Sequence, residues 1–104
     1  MKLSKIITLI LLLAISNVAL ATATNTPAAV PANLHVYDSA GNSYVDLVAS
    51  GCSGARYYID PNFAAYKTIM SILLTAEVTQ RQVVIRFDGC NSNNQGFVVG
   101  VYLP

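Results

Sequence analysis

The chain has 104 residues, 54% of them hydrophobic and only 11% charged, with a net charge of +1. That length holds one domain and little more, and so few cations cannot line the basic stripe that a phosphate backbone requires, which argues against nucleic-acid binding. A small domain also has too little interior to hide this much apolar surface, so part of it is expected to meet a partner or another copy of the chain.

Met1 to Ala23 reads as a secretory signal peptide. Lys2 and Lys5 open it, an apolar run from Ile6 to about Ile15 follows, and the small residues Ala19, Ala21 and Ala23 close it, so cleavage is expected after Ala21 or after Ala23. A membrane anchor is the competing reading, but the apolar run is shorter than the ~20 residues a span requires. The processed chain, with no membrane span, is therefore expected to be secreted or periplasmic. Without the leader, Arg56, Lys67, Arg81 and Arg86 face Asp38, Asp46, Asp60, Glu77 and Asp88, a net charge of −1. Residues 24–32, built from Ala, Thr, Pro and Asn with a single Val30, read as a flexible leader into a domain over 33–104, because such a composition buries too little surface to offset its ordering entropy.

Leu34 to Tyr37 and Tyr44 to Val48 are strand-like segments on either side of the turn formers Asp38 to Ser43, and together predict a β-hairpin. After a break at Ser50 to Gly54, Arg56 to Ile59 makes a third short strand. Asp60-Pro61 signals a helix start, since Asp can accept from the free N–H groups of a first turn and Pro at the first position loses no bond. Phe63, Tyr66, Ile69, Met70, Leu73, Leu74 and Ala76 then recur at three- and four-residue spacing opposite Lys67, Thr68, Ser71 and Thr75, predicting a helix from about Asn62 to Val78. Val83, Ile85 and Phe87 alternate with Val84, Arg86 and Asp88 in a fourth strand. The polar loop Asn91 to Gly96 leads to a fifth, with Phe97, Val99, Val101 and Leu103 on one face.

Export would place Cys52 and Cys90 in an oxidising compartment, where one disulfide between them is expected. Closing that loop stabilises the fold by ~4 kcal/mol in the chain-entropy model. Two free thiols, one of them a nucleophile, are the alternative, but the only histidine, His35, is distant in sequence. No second His or further Cys is present to complete a metal site. Three strands, a helix and two strands make an α+β, mainly β domain. The expected architecture is a small five-stranded OB-like barrel or curved sheet with one helix between the third and fourth strands.

The run Gly51-Cys52-Ser53-Gly54-Ala55-Arg56-Tyr57-Tyr58-Ile59-Asp60-Pro61, with Tyr66, Leu73-Leu74-Thr75-Ala76, Gln82-Val83-Val84-Ile85 and Asp88-Gly89-Cys90, resembles the small secreted proteins grouped as subtilase-cytotoxin B-subunit-like. The resemblance covers roughly Leu34 to Pro104. It implies an OB-fold B subunit, which in the toxins forms a ring of five and binds sialylated glycans on host cells while a separate A subunit carries the enzymatic activity. This chain is shorter than the toxin subunits and has no tryptophan, and the resemblance implies glycan binding as a class, without positions.

His35 with Asp38 or Asp46 is the nearest approach to an acid–base pair, and a lone His on a short strand is more often structural. No carboxylate pair, phosphate loop or nucleophile motif accompanies it, so neither catalysis nor a cofactor is expected. The six tyrosines are more informative, because each joins an apolar ring to a hydroxyl, which suits sugar stacking and protein interfaces alike. Tyr57 and Tyr58 are adjacent on a strand, so one of them points away from the core. With Arg86 and Asp88 on the outward face of their strand, and Asn91 and Asn93 in an amide-rich loop able to donate and accept at once, they form the expected ligand-binding set. Two readings follow: a glycan-binding B-like subunit, as a ring of copies with or without an A subunit, or a structural or inhibitory module that binds a protein partner.

Overall fold

The computed structural model describes residues 23–48 and 51–104. The signal peptide expected over 1–23 lies, but for Ala23, outside these residues. The described chain runs β1 (Thr24–Asn25), β2 (Ala32–Val36), β3 (Ser43–Asp46), β4 (Arg56–Ile59), α1 (Tyr66–Thr79), β5 (Val84–Cys90) and β6 (Gly96–Tyr102). The strands form one sheet in the order β1-β5-β6-β4-β3-β2. Only β4 and β6 pair in parallel. The described residues are mainly β with one helix, and the sheet stays open, with β1 and β2 at its edges. Among the described residues no helix is long and apolar enough to cross a membrane.

Five strands are expected from the alternation and six are present. The extra strand, β1, comes from the segment read as a leader, and its two residues are too few to show a period. Thr24 lies opposite Phe87 and Asn25 opposite Arg86. The buried Thr26 then donates its N–H to the Ile85 carbonyl at 2.9 Å and accepts the Ile85 N–H on Oγ1 at 3.0 Å. Ala29 and Val83 exchange two further backbone bonds. The outer edge of β5 thus finds its partners in the N-terminal segment, which is why a low-hydrophobicity stretch pairs there.

Helix α1 starts one turn later than Asp60-Pro61 predicts. Asp60 caps a separate turn, accepting the Asn62 N–H on Oδ1 at 2.9 Å and the Phe63 N–H on its carbonyl at 3.1 Å. The helix itself begins after Ala65 with no side-chain cap. It ends where Gln80 adopts φ +56°, with the Arg81 N–H returning to the Ala76 carbonyl at 2.9 Å. Ile69, Leu73 and Ala76 face the sheet; Leu74, expected on the same stripe, is exposed. Two polar ties hold the helix to the first hairpin. The Glu77 carboxylate accepts the Leu34 N–H at 3.0 Å, and the Tyr66 hydroxyl meets Ser43 Oγ at 2.6 Å.

The core lies between α1 and one face of the sheet: Val45, Leu47, Tyr57, Ile59, Ile69, Leu73, Val83, Ile85, Phe87 and Val98. On β6 the expected alternation of Phe97, Val99 and Val101 on one face is broken. Arg86 pairs with Gly100 and Phe87 with Val98, which leaves Val99 as an inserted residue. Val98 and Val101 therefore both reach the core, while Phe97 packs on the opposite side against Tyr58 and Phe63. The expected Cys52–Cys90 disulfide is present, with Cα atoms 5.8 Å apart, and it joins the approach to β4 to the end of β5 around a loop that contains α1.

Candidate functional site

The sheet face away from the core carries an aromatic row. Because His35 is opposite Tyr44, Tyr44 opposite Tyr58, and Tyr58 opposite Phe97, the four rings lie side by side across β2, β3, β4 and β6. Their successive centroids are 5.6, 5.5 and 5.8 Å apart. Tyr37, just past β2, stands edge-on to Tyr44 at 6.0 Å. The hairpin that sets this geometry is tightened by Asp38, whose carboxylate accepts both the backbone and the side-chain N–H of Asn42, at 3.1 and 2.8 Å. Those bonds, the Asn42 side-chain amide first, hold the Asp38 carboxyl below its ordinary value. Asn42 Oδ1 in turn accepts from the Tyr58 hydroxyl at 2.6 Å, and burial, with Asp60 nearby, pushes that phenol up.

One residue pair further along the same face, Asp46 lies opposite Arg56. The guanidinium donates Nε to Oδ1 at 2.8 Å and Nη2 to Oδ2 at 3.1 Å. Asn33, held at φ +54° beside an irregularity in β2, adds a third bond to Oδ2 at 2.9 Å. The Arg56 hydrogen bonds keep the Asp46 carboxyl low, and Asp46 raises Arg56 in return.

The parallel pairing of β4 with β6 brings the starts of both strands together, so the β5–β6 loop arrives beside Arg56. That loop is built around Asn91. Its Oδ1 accepts the N–H groups of Asn93 and Gln95 at 2.9 and 3.0 Å, and its Nδ2 donates to Gln95 Oε1 at 2.9 Å. The Gly54 N–H donates to the Asn94 carbonyl at 3.3 Å, seating the loop on the approach to β4. The result is a pocket of about 280 Å³ lined by Tyr37, Tyr44, Arg56, Asn93 and Gln95. It offers two phenol rings, a cation and two carboxamides, a set that can stack on an apolar ring face and both donate to and accept from hydroxyls.

Of the residues expected to bind a ligand, only Asn93 lines this pocket. Tyr58 stands next to it, its ring against Tyr44. Tyr57 is the inward member of its pair: fully buried, 5.7 Å from the Phe87 ring, its phenol pushed up by burial. Asn91 spends its side chain on the turn. Arg86 and Asp88 are exposed on β5, separated from β4 by β6. His35 points Nδ1 at the Asn33 carbonyl, 2.6 Å away. Among the described residues no group of His, Cys, Asp or Glu is arranged to hold a metal ion. Tyr37 and Tyr44 belong to the six tyrosines the sequence marks as informative, and Gln95 to its amide-rich loop, but none is in the expected ligand-binding set. Their convergence with Arg56 depends on the hairpin register and on the parallel β4–β6 pair. No protein-family model, curated protein or solved structure matches this chain.

Proposed function

We propose that the chain is a secreted, non-catalytic binding protein of the OB type that takes a glycan at the Tyr37–Tyr44–Arg56–Asn93–Gln95 pocket. The observation that carries this reading is the pocket itself. Tyrosine rings, Tyr37 among them 72% exposed, beside amide and guanidinium donors suit a pyranose, since it presents an apolar C–H face and a rim of hydroxyls. Its volume, near the lower end of the ~300–1,000 Å³ of small-molecule sites, suits a single terminal sugar. The strand order supports the fold assignment: after β1, the sequence β2-β3-β4-β6-β5 with a parallel β4–β6 pair follows an OB barrel left open along one seam. The disulfide fits an oxidising compartment and so the exported state. Assembly into a ring, with or without a catalytic subunit, belongs to the same proposal. A glycan array combined with light scattering on the processed chain tests it: sugar signal lost on Tyr44→Ala supports the reading, and a monomer with no sugar signal discards it.

A second reading, a module that binds a protein partner, is favoured by Leu74 and Val78. They are one turn apart on the outer side of α1 and 54% and 73% exposed. Pull-down from the organism's own secretome should then recover one partner in fixed ratio, and Leu74→Ser/Val78→Ser should abolish its recovery.

A further inference from the structure

We infer that the pocket takes a neutral hexopyranose and discriminates against the same ring bearing a carboxylate, an inference that rests on the glycan-binding reading above. Arg56 is the one cation among the lining residues, and its charge is already matched. Nε and Nη2, the two donors that form the side-on fork for a carboxylate, both bond Asp46, at 2.8 and 3.1 Å. Asn33 fixes the Asp46 carboxylate from its other side at 2.9 Å. An acidic sugar approaching Arg56 therefore meets a guanidinium whose charge is already matched by Asp46, so its carboxylate gives up hydration without gaining a free counter-charge. A hydroxyl carries no such cost.

The polar atoms that remain suit hydroxyls. Arg56 Nη1 has no hydrogen-bond partner among the described residues. Gln95 commits Oε1 to Asn91, and its Nε2 can still donate. The Asn93 carboxamide and the Tyr37 and Tyr44 hydroxyls can each donate and accept. Among the described residues no second guanidinium or ammonium group lines the pocket to take over the role of Arg56. The His35 ring, next to Tyr44 in the aromatic row, packs on that tyrosine and directs Nδ1 at a backbone carbonyl.

Matched pairs of sugars that differ only in charge provide the test: methyl glucoside against methyl glucuronide, methyl galactoside against methyl galacturonide, and lactose against sialyllactose, titrated by NMR into the processed, oxidised chain at low salt. The neutral member of at least one pair should bind, with its acidic counterpart about ten-fold weaker. Asp46→Ala, which leaves Arg56 unpaired, should erase or reverse that ratio. Tighter or equal binding of the acidic members by the wild-type protein overturns the inference while leaving glycan binding intact. An unchanged ratio in Asp46→Ala overturns it as well. Binding of none of the six sugars overturns both this inference and the reading beneath it. The wild-type comparison decides the matter even if the variant fails to fold.

Discussion

Tyr57 and Gly96 show how tightly single residues are specified in this sheet. A Cβ placed on Gly96 would lie 2.7 Å from Tyr57 Cδ2 and 3.1 Å from Phe87 Cδ2, and both rings are packed in the core with no room to withdraw. Gly96→Ala should therefore cost about 1–3 kcal/mol through overpacking, read from the urea midpoint. Asp46 makes a prediction of another kind. Its carboxyl is held below the ordinary 3.8 in the folded chain, first by the Arg56 hydrogen bonds. The stabilisation it contributes is complete above 3.8 and is lost as pH falls through the depressed folded value. Because the pair is largely open to solvent, that contribution is on the order of 0.2–1 kcal/mol. Denaturant titrations of wild type and Asp46→Asn should differ at neutral pH and converge in acid, and a difference that persists unchanged below the folded value would contradict the assignment. At this scale the sequence was readable only in part. That one of Tyr57 and Tyr58 faces outward follows from strand geometry, but which of them does so depends on the phase of β4 against α1.

Among the elements, β1 is the least expected and the most consequential. Thr26 satisfies both backbone groups of Ile85 on the outer edge of β5, one with its own N–H and one with its hydroxyl. Thr26→Val keeps the shape and removes the acceptor, leaving a buried N–H without a partner. The expected loss is about 1–3 kcal/mol, with hydrogen exchange at the Ile85 amide accelerated by a similar free energy. No alternation or capping pattern marks residues 24–31, so this strand was not legible. Helix α1 was legible in its interior and misplaced at its start. Asp60-Pro61 is a sound initiation signal for a turn, but the chain uses it to turn the corner and begins the helix at Tyr66, where the hydroxyl can reach Ser43 and Gly41. The bulge at Val99 is a third such case, since a period of two cannot reveal an inserted residue.

Across the whole molecule, the disulfide ties the two strands that flank the helix and lies directly before the loop that carries Asn93 and Gln95. Reduction should lower stability by about 2–5 kcal/mol, equivalent for a domain of this size to a fall in Tm of roughly ten degrees or more. Cys90 ends β5 and Asn91 starts the pocket loop, so reduction should also weaken the proposed sugar binding at temperatures where the reduced domain remains folded. Calorimetry and sugar titration of the oxidised and reduced chains check both, and equal affinity in the two states would show that the loop is held by its own hydrogen bonds alone.

The amino-acid sequence by itself determined the pairing partner of each cysteine, the mainly β composition, the order of five strands around one helix and the interior of that helix. These depend on residue type and local period, which are properties of short segments. Tertiary structure alone decided the sixth strand, the open seam, the bulge in β6 and the membership of the pocket. Each of those depends on which segments lie side by side and in what register, and the free energy that selects a register belongs to the pair of strands rather than to either strand alone.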